Sequence, residues 1–83
     1  MVEIKVLGPG CANCKRLEQI ARKVVDTLSA DANIEKVTDY KQIVDLGVMA
    51  TPGLIVNDEV VSSGRIPSET EVTDWIIKAL ETN

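Results

Sequence analysis

The sequence predicts an α/β fold of order βαβαββα, with a mixed four-stranded sheet flanked by three helices. Three observations carry this reading. Apolar and charged residues alternate from Val2 to Val6 and the run stops at Gly8-Pro9-Gly10; an amphipathic helical stripe follows from Leu17; two short aliphatic runs then precede a final, clearly capped helical pattern.

In the first strand Val2, Ile4 and Val6 share one face, Glu3 and Lys5 the other, and Leu7 leads into the glycine-proline turn. Leu17, Ile20, Ala21, Val24, Val25 and Leu28 then gather into one stripe of a helix, while Lys15, Glu18, Arg22 and Asp26 occupy its solvated face. A polar break from Ser29 to Asn33 separates this helix from a short second strand, in which Ile34 and Val37 flank Glu35-Lys36. Asp39 and Gln42 have capping-box spacing, Ile43 and Leu46 supply an apolar face, and Gly47 suits a left-handed helix end.

Leu54-Ile55-Val56 and Val60-Val61, joined by Asn57-Asp58-Glu59, read as an antiparallel hairpin. The last helix is marked by Pro67, by Ser68 and Glu71 at capping-box spacing, and by Val72, Trp75, Ile76, Ala79 and Leu80 on one face, with Trp75 read as a core anchor. The first crossover must return a parallel strand, and open sheets of this type place their sites at the carboxyl ends of the strands. Gly10 to Cys14 falls there.

With 83 residues the chain is read as a single domain over 1–83, with one core and one site, and as a monomer. Its apolar residues are almost all aliphatic, Trp75 and Tyr40 being the only aromatics. A formal charge of -4 and so few aromatics argue against nucleic acid as a partner. The first residues carry no basic leader, apolar core or small-residue cleavage site, and no apolar run reaches membrane-spanning length, so a cytoplasmic protein without membrane partners is expected. In that compartment paired cysteines point to redox chemistry or metal rather than to a structural disulfide.

The only cysteines are Cys11 and Cys14. Only a thiolate attacks a disulfide, and the chain has no histidine to remove the proton. The unpaired amides and aligned peptide dipoles at a helix start supply the stabilisation instead. Cys11, at the turn, is therefore read as the nucleophile, and Cys14, a turn further on and more shielded, as the sulfur that resolves the mixed disulfide. Residues three apart on a helix have β-carbons about 5–6 Å apart, against about 3.5–4.5 Å in a disulfide, so Cys11 belongs at the cap rather than inside the helix. Two alternatives share the pair: a reduced couple that merely packs, and a carrier of Cu(I), which prefers soft ligands. Small copper carriers also place Cys-x-x-Cys after a first strand, but in a ferredoxin-like order without a helix between the second and third strands, and with Met where this chain has Pro9. A tetrahedral zinc site needs four ligands, and with no histidine and no third cysteine the chain would need carboxylates or a second subunit to complete one.

Three stretches together resemble a known family. Gly10-Cys11-Ala12-Asn13-Cys14-Lys15 after the first strand, Gly47-Val48-Met49-Ala50-Thr51-Pro52 before the third, and Ser63-Gly64-Arg65-Ile66-Pro67-Ser68 before the last helix are similar to the small thioredoxin-like proteins with a redox-active disulfide, glutaredoxin-sized relatives of thioredoxin. The resemblance implies a thioredoxin fold, Cys11 and Cys14 as the redox pair, and Pro52 as a cis-proline facing them. It also implies that the Thr51 backbone pairs with an extended substrate peptide, next to Gly10, as strand-like recognition allows. The implied activity is thiol-disulfide exchange on protein disulfides, with no cofactor beyond the cysteine couple and with a reductase or a small thiol as electron donor. The chain departs from the Trp-Cys-Gly-Pro-Cys of thioredoxin at Gly10, Ala12 and Asn13. Lys15, Lys41 and Arg65 are the cations on hand for the carboxylates of glutathione.

Overall fold

Strand β1 (Val2–Leu7) is the element on which the sheet is built, because it pairs on both sides. The computed structural model describes residues 2–10, 12–48 and 50–81, so Cys11 and Met49 lie outside the described residues. After β1 come α1 (Ala12–Leu28), β2 (Ala32–Val37), α2 (Tyr40–Asp45), β3 (Gly53–Val56), β4 (Glu59–Ser63) and α3 (Glu69–Glu81). The strand order is β2-β1-β3-β4, with β1 parallel to β2 and antiparallel to β3, and β3 antiparallel to β4.

The period of two along each strand divides the core between the two faces of the sheet. On one face Val2, Ile4, Val6, Leu54 and Val56 pack with Leu17, Ala21 and Val24 of α1 and with Val72, Ile76 and Ala79 of α3. On the other, Leu7, Val37 and Ile55 pack with Val48 and with Ile43, the buried residue of α2. The expected α1 stripe is therefore real, with Ile20, Val25 and Leu28 packed at its margins. The polar face of α1 is laced by Glu18, whose carboxylate accepts from Arg22 at 3.0 and 3.1 Å and meets Lys36 of β2 at 3.4 Å. These contacts, led by the Arg22 hydrogen bond, hold the Glu18 carboxyl below its ordinary range.

Five details differ from the expectation. The second strand starts at Ala32, inside the anticipated break, because pairing with β1 overrides local polarity: Val2 lies opposite Ala32 and Glu3 opposite Asn33, whose amide donates to the Glu3 carboxylate at 3.2 Å. The hairpin turns in two residues rather than three. Asn57 and Asp58 take φ of 49° and 66°, the left-handed pair that matches strand twist, and Glu59 already lies opposite Val56. At α2 the Asp39 carboxylate caps the Lys41 N–H at 2.9 Å, two positions on, instead of forming a box with Gln42. Leu46 is 36% exposed at the end of α2 rather than on its buried face, while Gly47 does take the left-handed φ of 87°. Trp75 packs only part-way against the core and also lines an open groove with Val60 and Lys78.

The last helix is capped as its spacing predicts. Ser68 Oγ accepts from the Glu71 N–H at 3.2 Å and Glu71 Oε1 accepts from the Ser68 N–H at 3.2 Å, a reciprocal capping box. No helix among the described residues is long and apolar enough to cross a membrane.

Candidate active site at the carboxyl end of β1

The parallel ladder extends one residue past β1, with the Gly8 N–H donating to the Val37 carbonyl at 2.9 Å. The chain then turns through exposed Pro9 and Gly10, and Gly10 adopts φ of 99°, a conformation that a side chain would strain. Cys11 follows, outside the described residues, and with it any statement of its pairing with Cys14. Ala12 opens α1, so Cys14 sits in the first helical turn, 6% exposed and without a free thiol.

Cys14 lies against the bare Cα of Gly8. A β-carbon built there would overlap Cys14 Sγ, come within 2.9 Å of Cys14 Cβ and stand 4.0 Å from Thr51 Cβ. The strand end, the first turn of α1 and the segment before β3 thus meet at one point. Thr51 is half-buried, Pro52 is buried, and the peptide bond between them is cis. The segment is held from β4: the Pro52 carbonyl accepts the Gly64 N–H at 3.0 Å and the Ala50 carbonyl accepts the Ser63 hydroxyl at 3.2 Å. Among the described residues neither the N–H nor the carbonyl of Thr51 has a hydrogen-bond partner. Both remain available to another chain.

The local field favours an anion. The first turn of α1 contains no acidic residue, its leading amides lack intrahelical partners, and Lys15 and Arg16 follow, both exposed. Of the three cations on hand for the carboxylates of glutathione, Arg65 is already engaged: its guanidinium grips Glu71 at 2.8 and 3.1 Å. That hydrogen bond raises the Arg65 pKa and, with the Ser68 N–H, lowers that of Glu71 to about 2. Lys15 and Lys41 are exposed and have no ion pair among the described residues.

Two supporting features escaped the sequence reading. Gly8 looked like one more turn residue, although its φ is not left-handed and only its place against Cys14 explains the missing side chain. Ser63 and Gly64 were legible as part of a motif, but not as the clamp on residues 50–52. The helix α2 between β2 and β3 gives an order distinct from the ferredoxin-like one of small copper carriers. Among the described residues no three Cys, His, Asp or Glu side chains cluster as metal ligands.

A sheet of order β2-β1-β3-β4, with a cysteine in the first turn after β1 and a proline leading into β3, defines an α/β protein of thioredoxin fold. The chain belongs to the thioredoxin-domain family, whose model matches residues 2–77. It is 43% identical over 72 residues to a thioredoxin of Methanothermobacter thermautotrophicus, an overlap of 87% of this chain and 94% of that protein. To a thioredoxin of Methanocaldococcus jannaschii it is 38% identical over 81 residues, 98% of this chain and 93% of the other.

Proposed function

We propose that the protein is a thiol-disulfide oxidoreductase that reduces protein disulfides through Cys11 and Cys14. The Cys11 thiolate attacks one sulfur of a substrate disulfide, forms a mixed disulfide and releases the other sulfur as a thiolate. Cys14 then attacks the Cys11 sulfur, so that the intramolecular disulfide forms, the mixed disulfide breaks and the second substrate thiolate leaves. Two electrons pass to the substrate, and the protons given up by the cysteines end on its thiols. A reductase or small thiol returns the couple to the dithiol, and no further cofactor takes part.

The observation that carries this reading is the position of Cys14: shielded, in the first turn of α1, and against Gly8, whose missing β-carbon would also neighbour Thr51. The unpaired main chain of Thr51 supports recognition of an extended peptide by strand-like hydrogen bonds, with broad rather than sequence-selective substrates. The bare, turned backbone of Gly10 leaves the approach beside it open. The chain acts as a single thioredoxin-like domain, a monomer in the cytoplasm.

The test is insulin reduction driven by dithiothreitol. Cys11→Ser abolishes turnover, and Cys14→Ser accumulates a mixed disulfide. Wild-type turnover in both variants would refute the proposal. Copper held in stoichiometric amount against a chelator, after purification under reducing conditions, would favour the carrier instead.

A further inference from the structure

We infer that Gly8 is the positioning residue for the Cys14 sulfur: the side chain it lacks is the space in which Sγ sits, against the end of β1. This rests on the reading that Cys14 resolves the mixed disulfide. Three observations support it. Gly10, Gly47 and Gly64 have left-handed φ and need glycine for conformation, whereas Gly8 does not. An alanine fits the backbone there, so what excludes it is the neighbour. That neighbour is Cys14, whose Sγ and Cβ crowd the β-carbon position more closely than any ordinary contact.

Neither side can retreat far. Gly8 is buried and pinned to β2 by its N–H, and it follows Leu7, which has no exposed surface. Cys14 rides on a helix anchored one turn later by Leu17 and then by Ala21, both fully buried. A methyl group at position 8 would therefore displace the sulfur, by rotating the Cys14 side chain together with the small shift that frees its Cβ. In the resolving step the Cys14 sulfur must lie in line with the bond between the Cys11 sulfur and the substrate sulfur: it forms the new bond to Cys11 while the substrate sulfur leaves with the electron pair. A displaced sulfur loses that alignment, and small misplacements of reacting atoms are costly in rate.

The experiment compares Gly8→Ala in the wild-type and Cys14→Ala backgrounds, using reduced protein. In the wild type the methyl competes with the sulfur, and the melting temperature falls by about 5–10 °C; without the sulfur the penalty is less than half as large. A mixed disulfide with a model peptide closes at least about tenfold more slowly in Gly8→Ala. The first attack by Cys11, followed in the Cys14→Ala background, stays within about twofold. Equal melting penalties in the two backgrounds overturn the assignment, and so does an unchanged closure rate. If Gly8→Ala does not fold, recovery of folding in the double variant supports the assignment and its absence overturns it. Failure of the redox reading appears separately, as wild-type protein that does not reduce insulin; the melting comparison then still decides whether Gly8 makes room for the sulfur.

Discussion

Gly64 donates its N–H to the Pro52 carbonyl at 3.0 Å, and this bond ties the end of β4 to the segment in which Thr51 leads into β3. Gly64 has φ of 78°, and a β-carbon on it would stand 3.0 Å from Ala50 Cβ. Gly64→Ala meets both the left-handed penalty and the contact, and is expected to cost about 1–3 kcal/mol. Because Ala50 must yield and Thr51 is attached to it, KM for a peptide disulfide should rise several-fold. Chemical denaturation and steady-state kinetics check the two effects.

At the opposite end of the sheet Asn57 completes the ladder between β1 and β3. Its N–H donates to the Glu3 carbonyl at 2.7 Å, and its side-chain oxygen accepts the Glu3 N–H at 2.9 Å. Asn57→Ala removes that acceptor and puts alanine at φ of 49°, a loss of about 1–2 kcal/mol. Asp58→Gly relieves the other left-handed position of the turn, a penalty of about 1–2 kcal/mol for a residue with a side chain, less the freedom that glycine adds to the unfolded chain, and should stabilise by under about 1 kcal/mol. Urea titrations of the two variants should move the midpoint in opposite directions.

Ile43 is the buried residue of α2, a helix of six residues and too short to persist alone. Ile43→Ala should cost about 2–5 kcal/mol. Hydrogen exchange is expected to show the loss first in the α2 amides, ahead of those in β1.

Glu71 gives a defined pH dependence. The Arg65 hydrogen bond, followed by the Ser68 N–H, lowers its folded-state pKa from 4.5 to about 2. A depressed carboxyl contributes stability above its unfolded pKa and loses it as the pH falls through the folded value. The melting-temperature gap between the wild type and Glu71→Gln should therefore be steady near neutral pH, shrink below the unfolded value of 4.5, and be smallest near pH 2. Added salt should narrow it at neutral pH, since both partners face solvent.

Cys11 directly precedes the first residue of α1 in sequence, a helix whose first turn is free of acids. The rate of iodoacetamide alkylation in the Cys14→Ser variant is expected to inflect well below about pH 8.5, the value of an ordinary thiol. An unshifted profile would remove the electrostatic reason for assigning Cys11 the nucleophile's role.

The order of elements was legible in the residues because each signal is local. Alternation marks β1, the stripe from Leu17 marks α1, and Ser68 with Glu71 marks the start of α3, where the reciprocal bonds form as the spacing requires. The cysteine motif and Thr51-Pro52 stood out for the same reason. Position along the chain does not reveal which distant groups meet, so the start of β2 at Ala32 depended on its register with β1, and the burial of Ile43 without Leu46 on how α2 lies over the sheet. The isomer of the Thr51-Pro52 bond and the commitment of Arg65 to Glu71 were likewise settled only by the folded chain. Gly8 is the sharpest case. Its backbone asks for nothing special, and the need for glycine appears only when α1 brings Cys14 back against the end of β1.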